Sequence, residues 1–163
     1  MSQQLDRRHF DNDLAHTVMT LATLHDQTIS EGCKLRFHNE GYEPLVIDWM
    51  INTRTLLVAH LYPEGGIDNA LLFLITDAGW LPLVSYTPKV EIVGWGSSGG
   101  QHVLANPNAD HSWIEEDTAD LRLIADAVEF CQMWAANLRG QGWLEHSVSC
   151  PVVSAKGGDH VPA

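Results

Sequence analysis

Residues 55–86 run TLLVAHLYPEGGIDNALLFLITDAGWLPLVSY, and this stretch decides the fold. Thr55–Tyr62, Ala70–Thr76 and Trp80–Tyr86 are apolar, rich in β-branched and aromatic residues, and read as strands. Pro63-Glu64-Gly65-Gly66 breaks the first run and Asp77-Ala78-Gly79 the second. Parallel neighbours need a crossover of about a dozen residues or more, and these connections are far shorter. Consecutive strands are therefore expected to pair as antiparallel hairpins.

The same pattern extends both ways. Upstream, Cys33, Leu35 and Phe37 alternate with Lys34, Arg36 and His38, and Leu45, Ile47, Trp49 and Ile51 share one face of a second strand. Downstream, Lys89–Trp95 and Gln101–Ala105 read as further strands, with Thr87-Pro88 as the break before them. At the ends the period changes. Phe10, Leu14, Val18, Leu21 and Leu24 make one helical stripe, predicting a helix over Phe10–His25. Leu121, Ile124, Val128, Cys131, Ala135 and Leu138 make another, predicting a long helix over Asp117–Arg139, with Gly140 suited to its end. Ser112 with Glu115 offers an earlier capping box. The expected class is α+β: an antiparallel meander of five to six strands with an N-terminal helix and a long C-terminal helix packed on it. Residues 1–146 are expected to form one domain, and 147–163, rich in Pro, Gly and Ser without periodicity, a loosely held tail.

Composition sets the class of partner. With 45% apolar residues and 18% charged, the 163-residue chain is globular in character. Its formal charge is −12, and seven acids (Asp110, Glu115, Glu116, Asp117, Asp120, Asp126, Glu129) face a single base, Arg122, between Asp110 and Glu129. Such a field repels phosphate backbones and attracts a basic protein surface, so direct nucleic-acid binding is not expected. Neither a signal-like h-region nor a spanning run is legible. Cys33, Cys131 and Cys150 form no CxxC pair. The expected setting is the cytoplasm, away from membranes.

Several motifs invite chemistry. Gly94, Gly96 and Gly99 satisfy GxGxxG, and Gly96, Ser98 and Gly100 satisfy GxSxG, with His102, Asp110 and His111 close behind. Both patterns require a helix to follow, and Gln101–Pro107 reads as strand and loop, so a flexible hairpin loop is expected instead. His9, Asp13 and His16 share a helical face that suits three ligands of a catalytic zinc. The tail group His146, Cys150 and His160 lacks compact ligand spacing. His60, with Glu64 and Asp68 just beyond it, has the makings of an acid–base group, or of a hydrogen-bonded sheet residue. The sequence implies no cofactor and no catalytic set. Of six tryptophans, Trp49 and Trp134 fall on apolar faces, whereas Trp80, Trp95, Trp113 and Trp143 sit beside glycines or at element ends. Aromatics next to acids suit a protein interface. The expected binding residues are Glu115, Glu116, Asp117, Asp120, Trp95 and Trp113.

Four stretches, Gly41–Ile47 (GYEPLVI), Val58–Tyr62 (VAHLY), Gly79–Tyr86 (GWLPLVSY) and Trp134–Trp143 (WAANLRGQGW), resemble a family of short proteins carried on bacterial plasmids and other mobile elements, defined as a domain of unknown function. The Asn-Gly-Asp turn that follows the His-Tyr segment in that family is replaced here by the shifted Glu64–Asp68. The resemblance implies a mobile-element context and no particular activity. The expected function is thus a small acidic accessory protein that binds another protein and inhibits a host defence factor. A small hydrolase or metal-dependent enzyme is the alternative, and a homodimer through a sheet edge or the tryptophans is a third expectation.

Overall fold

The period of the apolar residues carries through to the architecture. The structure, a computed structural model, describes residues 4–92 and 96–150. After a short 3-10 turn at Arg7–His9 come helix α1 (Asp13–Leu24) and the strands β1 (Lys34–His38), β2 (Leu45–Trp49), β3 (Thr55–Leu61), β4 (Ile67–Thr76), β5 (Gly79–Ile92) and β6 (Gly96–Val103). A ribbon of β7 (Asn106–Pro107) and β8 (Ile114–Glu115), a 3-10 turn at Glu116–Thr118, helix α2 (Leu121–Gly140), helix α3 (Trp143–His146) and strand β9 (Val148–Cys150) complete the chain. The main sheet has seven strands in the order β6-β5-β4-β3-β2-β1-β9, and every pairing is antiparallel. The α+β meander with a helix from each end is as expected; seven strands replace the anticipated five to six.

Two differences raise the strand length and count. β5 is one continuous strand where two were expected, because both of its prolines are accommodated by register shifts. One shift lies beside Pro82 and the other between Thr87 and Val90, around Pro88. An irregularity of this kind is where a strand tolerates a residue with no N–H to donate. β9 comes from the stretch expected to be a tail: Val148, Ser149 and Cys150 pair with His38, Phe37 and Arg36 of β1.

The register sorts the sheet into two faces. Phe37, Leu45, His60 and Asn69 stand opposite one another across β1–β4, and so do Leu35, Ile47, Val58 and Leu71. Most of these residues are buried and join Leu14, Val18 and Leu21 of α1 and Ile124, Cys131 and Leu138 of α2 in one core. The other face carries rows such as Lys34, Asp48, Leu57, Leu72 and Val84, which are half-buried or exposed. One wet face is the usual condition of an antiparallel sheet.

Both helices are fixed at their starts by aspartates. Asp120 caps α2 by accepting from the Leu123 N–H at 3.1 Å. Ser112 does not serve as a cap; it closes the turn before β8. Ahead of α1, the buried Asp11 carboxylate accepts N–H groups from Asp13, Leu14 and Ala15. The Asp11 backbone also exchanges two hydrogen bonds with Trp80, at 2.8 and 2.9 Å, tying the helix start to β5. Gly79 permits that approach, since a Cβ there would lie 2.9 Å from the Asp11 carbonyl oxygen. Among the described residues no helix is long and apolar enough to cross a membrane.

Candidate functional site: an acidic ribbon ahead of the long helix

The acidic segment is held in place before its charge is considered. Asn108 closes the turn between β7 and β8, its Oδ1 accepting from the Ser112 and Trp113 N–H groups while its own N–H donates to the Trp113 carbonyl. Asn106 and Pro107 pair with Glu115 and Ile114 across the ribbon, and Ile114 is buried in the core. The Thr118 hydroxyl accepts from the Asn106 N–H at 2.9 Å and donates to the Glu115 carbonyl at 2.6 Å. The Asp120 N–H donates to the Leu104 carbonyl. Each contact anchors backbone, which leaves the carboxylates outside.

Glu115, Glu116, Asp117 and Asp120 are all exposed, as are Asp126 and Glu129 further along α2. Among the described residues none of these six makes an ion pair; the acids that do are Asp6, Asp13 and Asp48. Asp110 differs in that the Ser112 hydroxyl and N–H hold its carboxyl below the usual range. Carboxylates without an ion-pair partner on an anchored backbone form a negative field, strongest at Glu115–Asp120. Along α2 it is tempered by Arg122 and Arg8, which line a hollow with Asp126. The field is screened only beyond roughly 10 Å at 0.1 M salt.

Trp113 stands beside this field, half-buried, stacked on Phe10 at 6.4 Å and donating from Nε1 to Glu116 Oε1 at 3.4 Å. Trp95, the other aromatic expected at the interface, lies outside the described residues. Trp80 and Trp143 are not peripheral: both are buried, at 6% and 0% exposure, because strand alternation and the closing α3 turn carry them inward despite their glycine neighbours.

The other candidates separate. His9 sits in the 3-10 turn rather than on α1, is buried, and accepts the Asp6 N–H at its Nδ1. Asp13 faces Arg139 at 3.4 Å, and His16 is exposed. Among the described residues no group of three His, Cys, Asp or Glu side chains is placed to hold a metal ion. Of the tail group, Cys150 lies in β9 and His146 in α3, and His160 lies outside the described residues. Gly96–Gly100 belongs to β6, paired with β5, rather than to the flexible loop expected. Gly99 is required there, with φ +96° and no room for a Cβ beside the Pro88 carbonyl. Neither a phosphate cradle nor a nucleophile elbow has a helix behind it at this position. Gly94 lies outside the described residues.

His60 occupies the core-facing row of β3. Its Nδ1 is 2.9 Å from the Glu43 carbonyl, and its ring packs between Trp134 and Trp143 at 5.4 and 5.6 Å. Asp68 is near enough to act on it electrostatically, whereas Glu64 is exposed on the turn. The two tryptophan neighbours are what the sequence conceals, since they come from α2 and α3, more than seventy residues away. No family model, curated protein or solved structure matches the chain.

Proposed function

We propose that this chain is a small acidic protein that acts by binding another protein, receiving a basic surface of its partner on the segment Glu115–Glu129. The observation that carries the reading is the set of six exposed carboxylates on an anchored ribbon and helix that make no ion pair among the described residues. A charge left unneutralised within a molecule is available to a partner, where complementary charge speeds encounter and selects among surfaces. Trp113 at the edge of the field adds an aromatic contact of the kind enriched at interfaces. The same field disfavours direct nucleic-acid binding.

A fixed negative pattern resembles that of a nucleic-acid backbone, so basic nucleic-acid-binding surfaces are its natural counterpart. Together with the mobile-element resemblance, this points to inhibition of a host defence factor in the cytoplasm. The test is affinity capture from host lysate with the wild-type chain and with a variant carrying Glu115→Lys, Glu116→Lys and Asp117→Lys. Asp120 is kept because it caps α2. A specific partner should be captured at low salt, be released as salt rises, and be absent from the variant, whose circular dichroism is unchanged. Equal capture by the variant, or no specific partner at low salt, defeats the reading.

A further inference from the structure

A second negative site, separate from the ribbon, lies towards the other end of α2. Below Asn137 and Gln141, a cleft of about 400 Å³ opens between the β3–β4 end of the sheet and the helix. That volume is at the small-ligand end of the usual range. Its walls are aromatic and soft, from Tyr42, Phe130, Met133 and the edge of Trp134, and its charged groups are Glu43 and Asp68. Among the described residues no lysine or arginine lines it.

Beside the amides of Asn69, Asn137 and Gln141 the lining includes His60, whose proton can be placed from its partners. A carbonyl oxygen only accepts, so the 2.9 Å contact to Glu43 O puts the hydrogen on Nδ1 and the lone pair on Nε2. Burial disfavours the imidazolium, outweighing the Glu43 and Pro44 carbonyls and the Asp68 and Glu43 charges that favour it. Nε2 is then an acceptor, and it has no protein donor among the described residues. Asp68 accepts from the Tyr62 hydroxyl through Oδ1 at 2.9 Å, which leaves its other oxygen available.

We propose that this cleft binds the guanidinium or ammonium head of an organic cation, with Glu43 and Asp68 supplying the charge, His60 Nε2 accepting a hydrogen bond, and Tyr42 and Phe130 flanking the head and its alkyl chain. Each feature narrows the ligand. Two carboxylates with no lysine or arginine beside them among the described residues reject anions, and a neutral imidazole acceptor asks for a donor. Aromatic faces favour a diffuse cation over a small hydrated one. A bare metal ion fits poorly, because no three ligands converge among the described residues. The head group can belong to a free alkylguanidine or polyamine, or to an arginine or lysine side chain of a protein.

The test is an NMR titration of the full chain, following the His60 ring and the Trp134 indole. Three probes are used: agmatine, a short arginine peptide capped at both ends, and the same peptide with uncharged citrulline in place of arginine. Saturable shifts at both side chains are expected with at least one cationic probe. Agmatine alone identifies a free small molecule, and the peptide alone a protein side chain. Citrulline should bind about tenfold more weakly or worse, as should the cationic probe to either Asp68→Asn or Glu43→Gln. The two variants guard against loss of fold in one of them. The Glu115→Lys, Glu116→Lys, Asp117→Lys variant should bind the probe as the wild type does, so failure at the cleft and failure at the ribbon are read separately. Citrulline binding as tightly as arginine, no saturable shift at His60 with any probe, or loss of binding only in the ribbon variant overturns the proposal.

Discussion

Asp11 is 1% exposed, yet it is held inside because three backbone N–H groups of the first turn of α1 converge on it. Burial raises its pKa against the opposing effect of those hydrogen bonds. Asp11→Ala is expected to cost about 1–3 kcal/mol, a lost cap together with buried donors left unmatched. Urea unfolding measures it, and a change within a few tenths would mean the cap is dispensable. Cys131 lies in the same interior, its thiol pushed up by burial and by the Asp11 charge. Thiol labelling of the native chain should therefore leave Cys131 unmodified until denaturant is added, while the half-buried Cys33 and Cys150 react. His60 supplies a pH test. Its folded pKa lies below the ordinary 6.5, so as pH falls the unfolded chain takes up this proton first. Its contribution to stability is complete above 6.5 and is lost as pH falls through the folded value. His60→Gln should flatten that part of the stability profile, and an unchanged slope would contradict the assignment.

The elements show how far local pattern reaches. Periods of two and of three-to-four placed the meander and both helices, since each stripe had a core to face. His60 was partly legible, because it shares the parity of Leu56 and Val58 and so had to point towards the helices. The cleft around it was not, because Trp134 and Trp143 arrive from elements whose approach depends on the whole sheet. Pro88 read as a break because a proline's missing N–H is local, whereas the register shift that accommodates it is a property of two strands. Likewise β9, three residues with no alternation of their own, exists only because β1 offers an edge. The acidic segment needed no fold to be seen, although its anchoring by Asn108 and Thr118 did. Trp143 joins these elements, fully buried and packed on His60 and near Tyr42. Trp143→Ala is expected to cost about 3–5 kcal/mol in chemical denaturation. A loss below 1 kcal/mol would mean that α3 does not close the core.

At the scale of the whole molecule, a charge of −12 is distributed so that its densest run of acids coincides with a surface segment anchored by hydrogen bonds. Solubility alone would be served by carboxylates scattered over loops. Holding them on a hydrogen-bonded ribbon and the first turns of a helix fixes their spacing, which is what recognition of a basic surface requires. The most direct measurement is hydrogen exchange on the chain with and without its captured partner. The account predicts new protection concentrated in residues 106–129 and reduced by added salt. Protection confined to the open face of the sheet, with 106–129 exchanging as in the free protein, would contradict it.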